Sequence, residues 1–217
     1  MKNVKKALLL FLCVAAIVGV TVMGTLAWLT DQSTVKNTMT VGKVDITVDE
    51  TKVNPDGTEV PDADRVTENT YHLIPGKEYI KDPTMTVNKD SEESYVRMLL
   101  TLNYKTELDE IFAPGVDLQT IFVGYDATAW IYEGETTDAL ANTVTYEFRY
   151  KETVKPNGED VVLEPLFEMI TIPGTVTGEQ LEMIQDLEIT VIGHAIQTYG
   201  FADEDAAWAA FAEQTAP

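Results

Sequence analysis

Val144-Thr-Tyr-Glu-Phe-Arg-Tyr150 alternates apolar and polar side chains without interruption. Because successive side chains of a β-strand point to opposite faces, this pattern predicts a strand with one buried and one solvated face. The turn residues Lys155-Pro-Asn-Gly158 follow shortly afterwards. We therefore expect an antiparallel strand that leads into a hairpin connection.

Short apolar runs on both sides of this stretch predict further strands. They are expected at 43–48, Thr84–Val87, Tyr95–Tyr104, Thr120–Val123, Ala129–Tyr132, Val161–Leu163, Phe167–Ile172 and Leu187–Ile196. The helices are expected to be short: Leu108–Phe112, Thr177–Ile184 capped by Thr177, and Glu204–Ala212, which is capped by Asp203 and turns Trp208 and Phe211 to the core. Eight or more short strands with Pro-Gly turns predict an all-β fold with short helices, a jelly-roll-type antiparallel β-sandwich.

The N-terminus has the pattern of a secretory signal peptide. Three lysines precede an uncharged apolar run of 18 residues, Ala7 to Gly24, and the following Thr-Leu-Ala ends in a small residue. This order predicts a signal peptide at residues 1–27, cleaved between Ala27 and Trp28. The run is near the lower limit for a membrane span, so an uncleaved membrane anchor is the alternative.

Composition limits what the mature chain can bind. The leader holds three of the 15 basic residues and no acidic residue, so residues 28–217 carry 12 basic and 36 acidic residues, a formal charge of −24. Such a surface repels nucleic acid and anionic lipid, so we expect no nucleic-acid partner and membrane contact only through the uncleaved leader. Cys13, the only cysteine, lies in the leader, which excludes disulfides within the secreted chain.

Residues 28–40 form a distinct polar segment. They are mainly Thr, Ser, Asn, Gln and Asp, and the apolar Leu29, Val35 and Met39 would point to one side of an extended chain. The apolar parity changes in the following strand at 43–48, and a bulge or bend at Gly42 would explain the change. The sequence therefore predicts an extended segment at 28–40 and a β-sandwich domain at 41–217.

Catalytic and metal-binding patterns are sparse. The acidic stretch Asp49–Thr70 is predicted to be a long exposed loop or hairpin that could bind calcium, although it has no EF-hand spacing. His72 and His194 are far apart and form no helical pair of zinc ligands. We expect His194 to be packed or hydrogen-bonded and Arg97 to pair with an acidic neighbour. No catalytic residue is predicted, and calcium is the one cofactor left open.

Five short stretches, spread over nearly the whole chain, carry a resemblance to a known family. They are Thr25-Leu-Ala-Trp-Leu-Thr-Asp31, Asn37-Thr-Met-Thr-Val-Gly-Lys-Val-Asp-Ile46, Ile74-Pro-Gly-Lys77, Tyr95-Val-Arg97 and Ile189-Thr-Val-Ile-Gly-His-Ala-Ile-Gln197. In this order they resemble the TasA/camelysin family. Its members are exported by Gram-positive bacteria, usually through a SipW-type signal peptidase. A matrix accessory protein is a further partner that the sequence leaves open.

The resemblance implies a secreted jelly-roll protein of the extracellular biofilm matrix or cell surface that assembles head to tail into fibres. In TasA-like filaments the segment after the cleavage site completes the sheet of the next subunit, and the matching positions here run from Trp28 to about Thr40. Members related to camelysin have also been described as casein-cleaving metalloproteases. A secreted metalloprotease is therefore one alternative, and a monomeric calcium-binding surface or adhesion module is another.

Overall fold

The computed structural model describes residues 42–112 and 121–215. The strands are β1 Ile46–Asp49, β2 Glu78–Ile80, β3 Thr84–Val87, β4 Ser94–Leu102, β5 Phe122–Val123, β6 Trp130–Asp138, β7 Thr143–Tyr150, β8 Val161–Val162, β9 Met169–Thr171 and β10 Ile189–Gln197. The helices bounded within these ranges are α1 Lys105–Phe112, α2 Gly178–Met183 and α3 Glu204–Thr215. Within the same ranges, no helix is long and apolar enough to cross a membrane.

The strands form three antiparallel sheets, and this confirms the all-β prediction with short helices. The largest sheet has the order β10-β4-β7-β6, and the two smaller sheets have the orders β1-β3-β8 and β2-β9-β5. Every strand pair in them is antiparallel. The jelly-roll form of the sandwich stays a prediction.

The alternation at 144–150 is present as strand β7, which pairs with β4 over six residues of each strand. Tyr146 and Phe148 are buried on the inner face, opposite Leu100 and Met98 of β4. The other face is polar on β7, whereas on β4 it carries Tyr95 and Leu99 as well as Arg97 and Thr101. The central sheet therefore has one core face and one amphipathic outer face.

One hydrophobic cluster takes side chains from all three sheets. Its members include Tyr79, Met85, Val87, Met98, Leu100, Phe122, Trp130, Tyr146, Phe148 and Ile170. Because strands from different parts of the chain contribute to it, burial of this cluster holds the three sheets together.

Gly193 of β10 marks the closest approach between two sheets. A Cβ built on Gly193 would lie 2.4 Å from Cε of Met85 and 2.6 Å from Cγ2 of Val48. Strand β1 thus packs beside β10, although each belongs to a different sheet. The absence of a side chain at position 193 is what allows this approach.

Strand β6 is the outer edge of the central sheet on the side opposite β10. Its register with β7 shifts between Tyr132 and Gly134, so the strand carries a β-bulge there. Glu133, Glu135 and Asp138 are all exposed along it. The predicted strand at Ala129–Tyr132 is therefore correct in position but continues much further.

Both predicted helix caps are confirmed. Thr177 forms a capping box with Gln180 at the start of α2. Asp203 accepts the backbone N–H of Ala206 at 2.9 Å and so caps α3. Helix α1 starts before the predicted Leu108 because its cap comes from another part of the chain: the Asn142 side chain accepts the backbone N–H of Thr106.

Several predicted strand bounds were wrong by a few residues. The strand expected at Phe167–Ile172 is only Met169–Thr171, and the one expected at Thr120–Val123 is Phe122–Val123 within the described residues. Strand β2, at Glu78–Ile80, was not predicted. The leader, the cleavage site and the whole segment 28–40 lie outside the described residues.

Candidate functional site

An open groove of about 780 Å³ lies beside β1 and β10. Its walls are the end of β1, the segment 66–73, and the stretch 181–191 that leads from α2 into β10. We call this feature the edge groove, because β1 and β10 are each the last strand of their sheet within the described ranges. A groove between two sheet edges is a place where an extended chain can be accommodated.

The groove side of β1 is paired at Glu50, and alternate residues before it direct their backbone groups to the same side. In an antiparallel strand, alternate residues direct their N–H and C=O groups to opposite edges. The C=O of Asp45 accepts the N–H of Asn88 on the β3 side, whereas Glu50 exchanges two bonds with Val66 on the other side. By this alternation the backbone groups of Ile46 and Val48 point away from β3.

Strand β10 has the same property. The N–H of Thr198 donates to the C=O of Glu93, which places the even-numbered residues on the β4 side. The backbone groups of Ile189, Val191 and the following odd-numbered residues therefore point to the open edge. Ile189 and Val191 also line the edge groove. Among the residues that line the groove, Val48 on β1 and Ile189 and Val191 on β10 thus direct their backbone groups away from the neighbouring strand of their own sheet.

The edge groove has a mixed polar and apolar lining, and its apolar side chains form what we call the apolar base. Side chains that line it include Val48, Val66, Leu73, Leu187, Ile189 and Val191. Four exposed carboxylates surround this interior, those of Glu68, Glu182, Asp186 and Glu188. None of these four forms an ion pair with another described residue. The groove therefore combines an apolar base with an acidic rim.

A buried ion pair lies beside this apolar base. Nζ of Lys81 lies 2.6 Å from Oε2 of Glu50, and both side chains are 8% exposed. The amide of Asn69 donates to Oε1 of Glu50, and the hydroxyl of Tyr71 donates to the C=O of Ile80. Burial, together with the Glu50 charge, raises the pKa of Tyr71 far above its ordinary value. These bonds satisfy the buried polar groups and fix the segment 66–73 as a wall.

Arg65 attaches the start of the same segment to the domain. Its guanidinium donates to Oδ2 of Asp82 and Oγ1 of Thr84, each at 2.9 Å, and to the C=O of Asp49 at 3.1 Å. The predicted turn at Asn54–Gly57 is present, with Gly57 in the left-handed region at φ 77°. The predicted long exposed loop or mobile hairpin at Asp49–Thr70 is present as a largely exposed, irregular hairpin with the bridges Glu50–Val66 and Val53–Glu59, and these polar contacts attach both of its ends.

In comparisons with known proteins, no family model, curated protein or solved structure matches the chain.

The two histidines lie in different environments. His72 is exposed and lines the edge groove. His194 lies on the outer face of the central sheet, where its Nδ1 accepts a bond from Nε of Arg97 and its ring stacks on Phe211 with centroids 4.7 Å apart. The part of the chain that the structure describes contains no group of three or more His, Cys, Asp or Glu side chains placed to hold a metal ion.

The prediction for Arg97 is confirmed. Its guanidinium lies 3.3 Å from Oε1 of Glu147 on the neighbouring strand β7. The predicted site residues Ala27, Trp28, Leu29, Val35 and Met39 all lie outside the described ranges. Sequence reasoning missed the edge groove itself: Tyr71 and Leu73 alternate with His72, but this short signal follows a strongly acidic stretch that had the composition of a loop.

Proposed function

We propose that the chain is a secreted structural protein of the extracellular matrix that assembles into fibres by strand donation. Residues 28–40 of one subunit occupy the edge groove of the next. The observation that carries this proposal is the groove itself, which lies beside two edge strands and combines apolar side chains with the outward-directed backbone groups of Val48, Ile189 and Val191. The resemblance of the sequence to the TasA/camelysin family supports the same assignment.

The chemistry of the segment matches that of the groove. An extended segment that adds to a sheet edge gains backbone hydrogen bonds, and its alternate side chains enter pockets. Leu29, Val35 and Met39 have the common parity needed to reach an apolar base together. Lys36 has the opposite parity and is the only basic residue between Trp28 and Val41, so it would point toward the acidic rim.

The energetic balance of insertion is narrow. Eight backbone bonds at about 1 kcal/mol each and three apolar anchors at about 1.5–3 kcal/mol each favour insertion by about 12–17 kcal/mol. Ordering ten residues opposes it by about 10–20 kcal/mol. Because the terms nearly cancel, the three anchors and the preformed groove decide whether subunits hold together.

The geometry of donation produces an open chain of subunits. The donor segment and the edge groove are different surfaces, so each contact is head to tail and leaves one free donor and one free groove. Cleavage after Ala27 by a SipW-type signal peptidase would release the donor from the membrane-held leader. Assembly would then begin only outside the cell.

Deletion of Trp28–Asn37 from the secreted form tests this function. We expect residues 28–217 to form filaments, and the shortened protein to stay a folded monomer because its groove has no donor. Electron microscopy detects filaments, light scattering measures the molar mass, and circular dichroism shows whether the shortened protein is folded. Filaments of unchanged length from the shortened protein would disprove donation, and a single monomer mass for residues 28–217 at all concentrations would favour the adhesion module instead.

A further inference from the structure

Helix α3 is attached to the outer face of the central sheet by a small core of its own. Ala207 and Trp208 pack there against Ile196 of β10, with Tyr95, Phe201 and Phe211 around them. This cluster is separate from the main core. An element held by few buried side chains opens at a lower free energy than the domain as a whole.

Two arginines of the sheet complete the attachment. The guanidinium of Arg97 lies 4.3 Å from the ring centroid of Trp208 and 5.3 Å from that of Phe211. Nη1 of Arg149 donates to Oδ1 of Asp205 at 2.6 Å. Both arginines also bond to the single carboxylate of Glu147. The junction between sheet and helix thus contains two cations that share one strand carboxylate.

His194 is the residue of this junction whose charge can change with pH near neutrality. The bond from Nε of Arg97 to Nδ1 of His194, at 3.3 Å, requires a lone pair on Nδ1 and therefore a neutral ring. The charged groups that act on it are Arg97 on β4 and Glu147 on β7. Arg149 on β7, which binds both Glu147 and Asp205 of α3, extends the same network. A protonated ring would lose its acceptor and place a positive charge beside Arg97.

We propose that α3 is an acid-sensitive latch, which protonation of His194 releases from the outer face of the central sheet. Release would break the Phe211 stacking and the Trp208 cation–π contact, since both are made by α3 alone. It would expose Arg97 and Arg149 on an otherwise strongly acidic molecule. The latch would therefore open a cationic surface when the surroundings become acidic.

The pH range follows from the direction of the titration. Burial, and then the charge of Arg97, lowers the pKa of His194 below its ordinary value of 6.5. A histidine that binds its proton more weakly when folded supports the folded contact fully above the unfolded pKa. That support is lost as the pH falls from about 6.5 toward the lowered value, because the released state takes up the proton more readily.

Hydrogen exchange, read by mass spectrometry on the secreted protein lacking Trp28–Asn37, tests the latch without interference from fibres. After correction for the intrinsic rate, we expect residues 204–215 to lose protection as the pH falls from about 7.5 to about 5. Protection of β4 should stay constant. In His194→Asn, whose amide oxygen replaces the Nδ1 acceptor and does not titrate, protection of α3 should stay constant too.

His72→Asn is the matched control, and in it the protection of α3 should fall with pH as it does in the parent protein. The proposal is overturned if α3 keeps its protection at about pH 5, or if His194→Asn loses it to the same extent as the parent. Should His194→Asn fail to fold, an NMR titration of the parent decides. The His194 ring and the backbone signals of α3 must then titrate together, and separate midpoints reject the latch.

Discussion

At the scale of single residues, Gly193 occupies a position in the core that leaves no room for a side chain. Met85 and Val48 pack directly onto its backbone, at distances that no real Cβ could accept. These partners are core side chains rather than flexible surface groups, and Met85 is completely buried. A methyl group at position 193 must therefore displace the main core, the edge strand β1, or both.

Gly193→Ala is accordingly expected to destabilise the domain by about 1–3 kcal/mol, the usual cost of overpacking a core. Urea denaturation of the protein lacking Trp28–Asn37 measures this free energy of unfolding. Gly178→Ala is the control, since a Cβ at this first residue of α2 meets no atom within 4 Å. Equal unfolding midpoints for the two variants would show that the two sheets can separate at no cost.

Single residues also mark the limits of sequence reasoning. The cap residues Thr177 and Asp203 were predictable because their bonds are local, three residues along the chain. The ion pair of Glu50 and Lys81 was not, because 31 residues separate the partners and only the fold brings them together. His194 was correctly expected to be hydrogen-bonded, but its partner Arg97 is 97 residues distant.

At the scale of elements, long alternating strands were predictable and short ones were not. Strands β4 and β7 have a period of two that extends over eight or nine residues, so composition and periodicity agree. Strand β2 has three residues, too few to carry a period. The edge groove depends on segment 66–73, whose place is fixed by side-chain bonds to distant residues, and periodicity contains no such information.

The proposed donor segment 28–40 offers a test at this scale. Its odd-numbered apolar residues are expected to enter the groove, and its even-numbered residues are expected to face the solvent. The double variant Val35→Asp and Met39→Asp places two charges where the apolar base of the groove is expected. Filament formation should be lost, since a buried, unpaired carboxylate costs several kcal/mol. Light scattering and electron microscopy of residues 28–217 measure this loss of filament formation.

The matched control for the donor is Thr34→Asp with Thr38→Asp. It adds the same charge one position away, on the parity that would face the solvent and the acidic rim. We expect weaker but continuing assembly from this control. Equal loss in both double variants would mean that net charge, rather than the face occupied by Val35 and Met39, governs assembly.

At the scale of the whole molecule, charge opposes assembly. Residues 28–217 carry a formal charge of −24, so in the proposed assembly two subunits would repel each other before the donor could reach a groove. Raising the salt concentration from about 20 mM to about 200 mM shortens the screening length from about 20 Å to about 7 Å. Filament growth at neutral pH should therefore become several-fold faster, as followed by light scattering.

Sucrose of equal osmolality is the control for this measurement and should leave the growth rate nearly unchanged. Growth that slows with added salt would contradict the expectation. It would indicate that attraction between opposite charges, such as Lys36 and the acidic rim, outweighs the overall repulsion.

The bulged edge strand β6 has a consequence for the thickness of a fibre. Its exposed Glu133, Glu135 and Asp138 repel the same strand of a neighbouring molecule, and the bulge interrupts the regular row of backbone groups that sideways pairing requires. In the proposed fibre, the chain of subunits would therefore lengthen through the groove without associating sideways through β6. The expected product is a thread one subunit wide, and its bundling would need a cation or a second protein to bridge the acidic flanks.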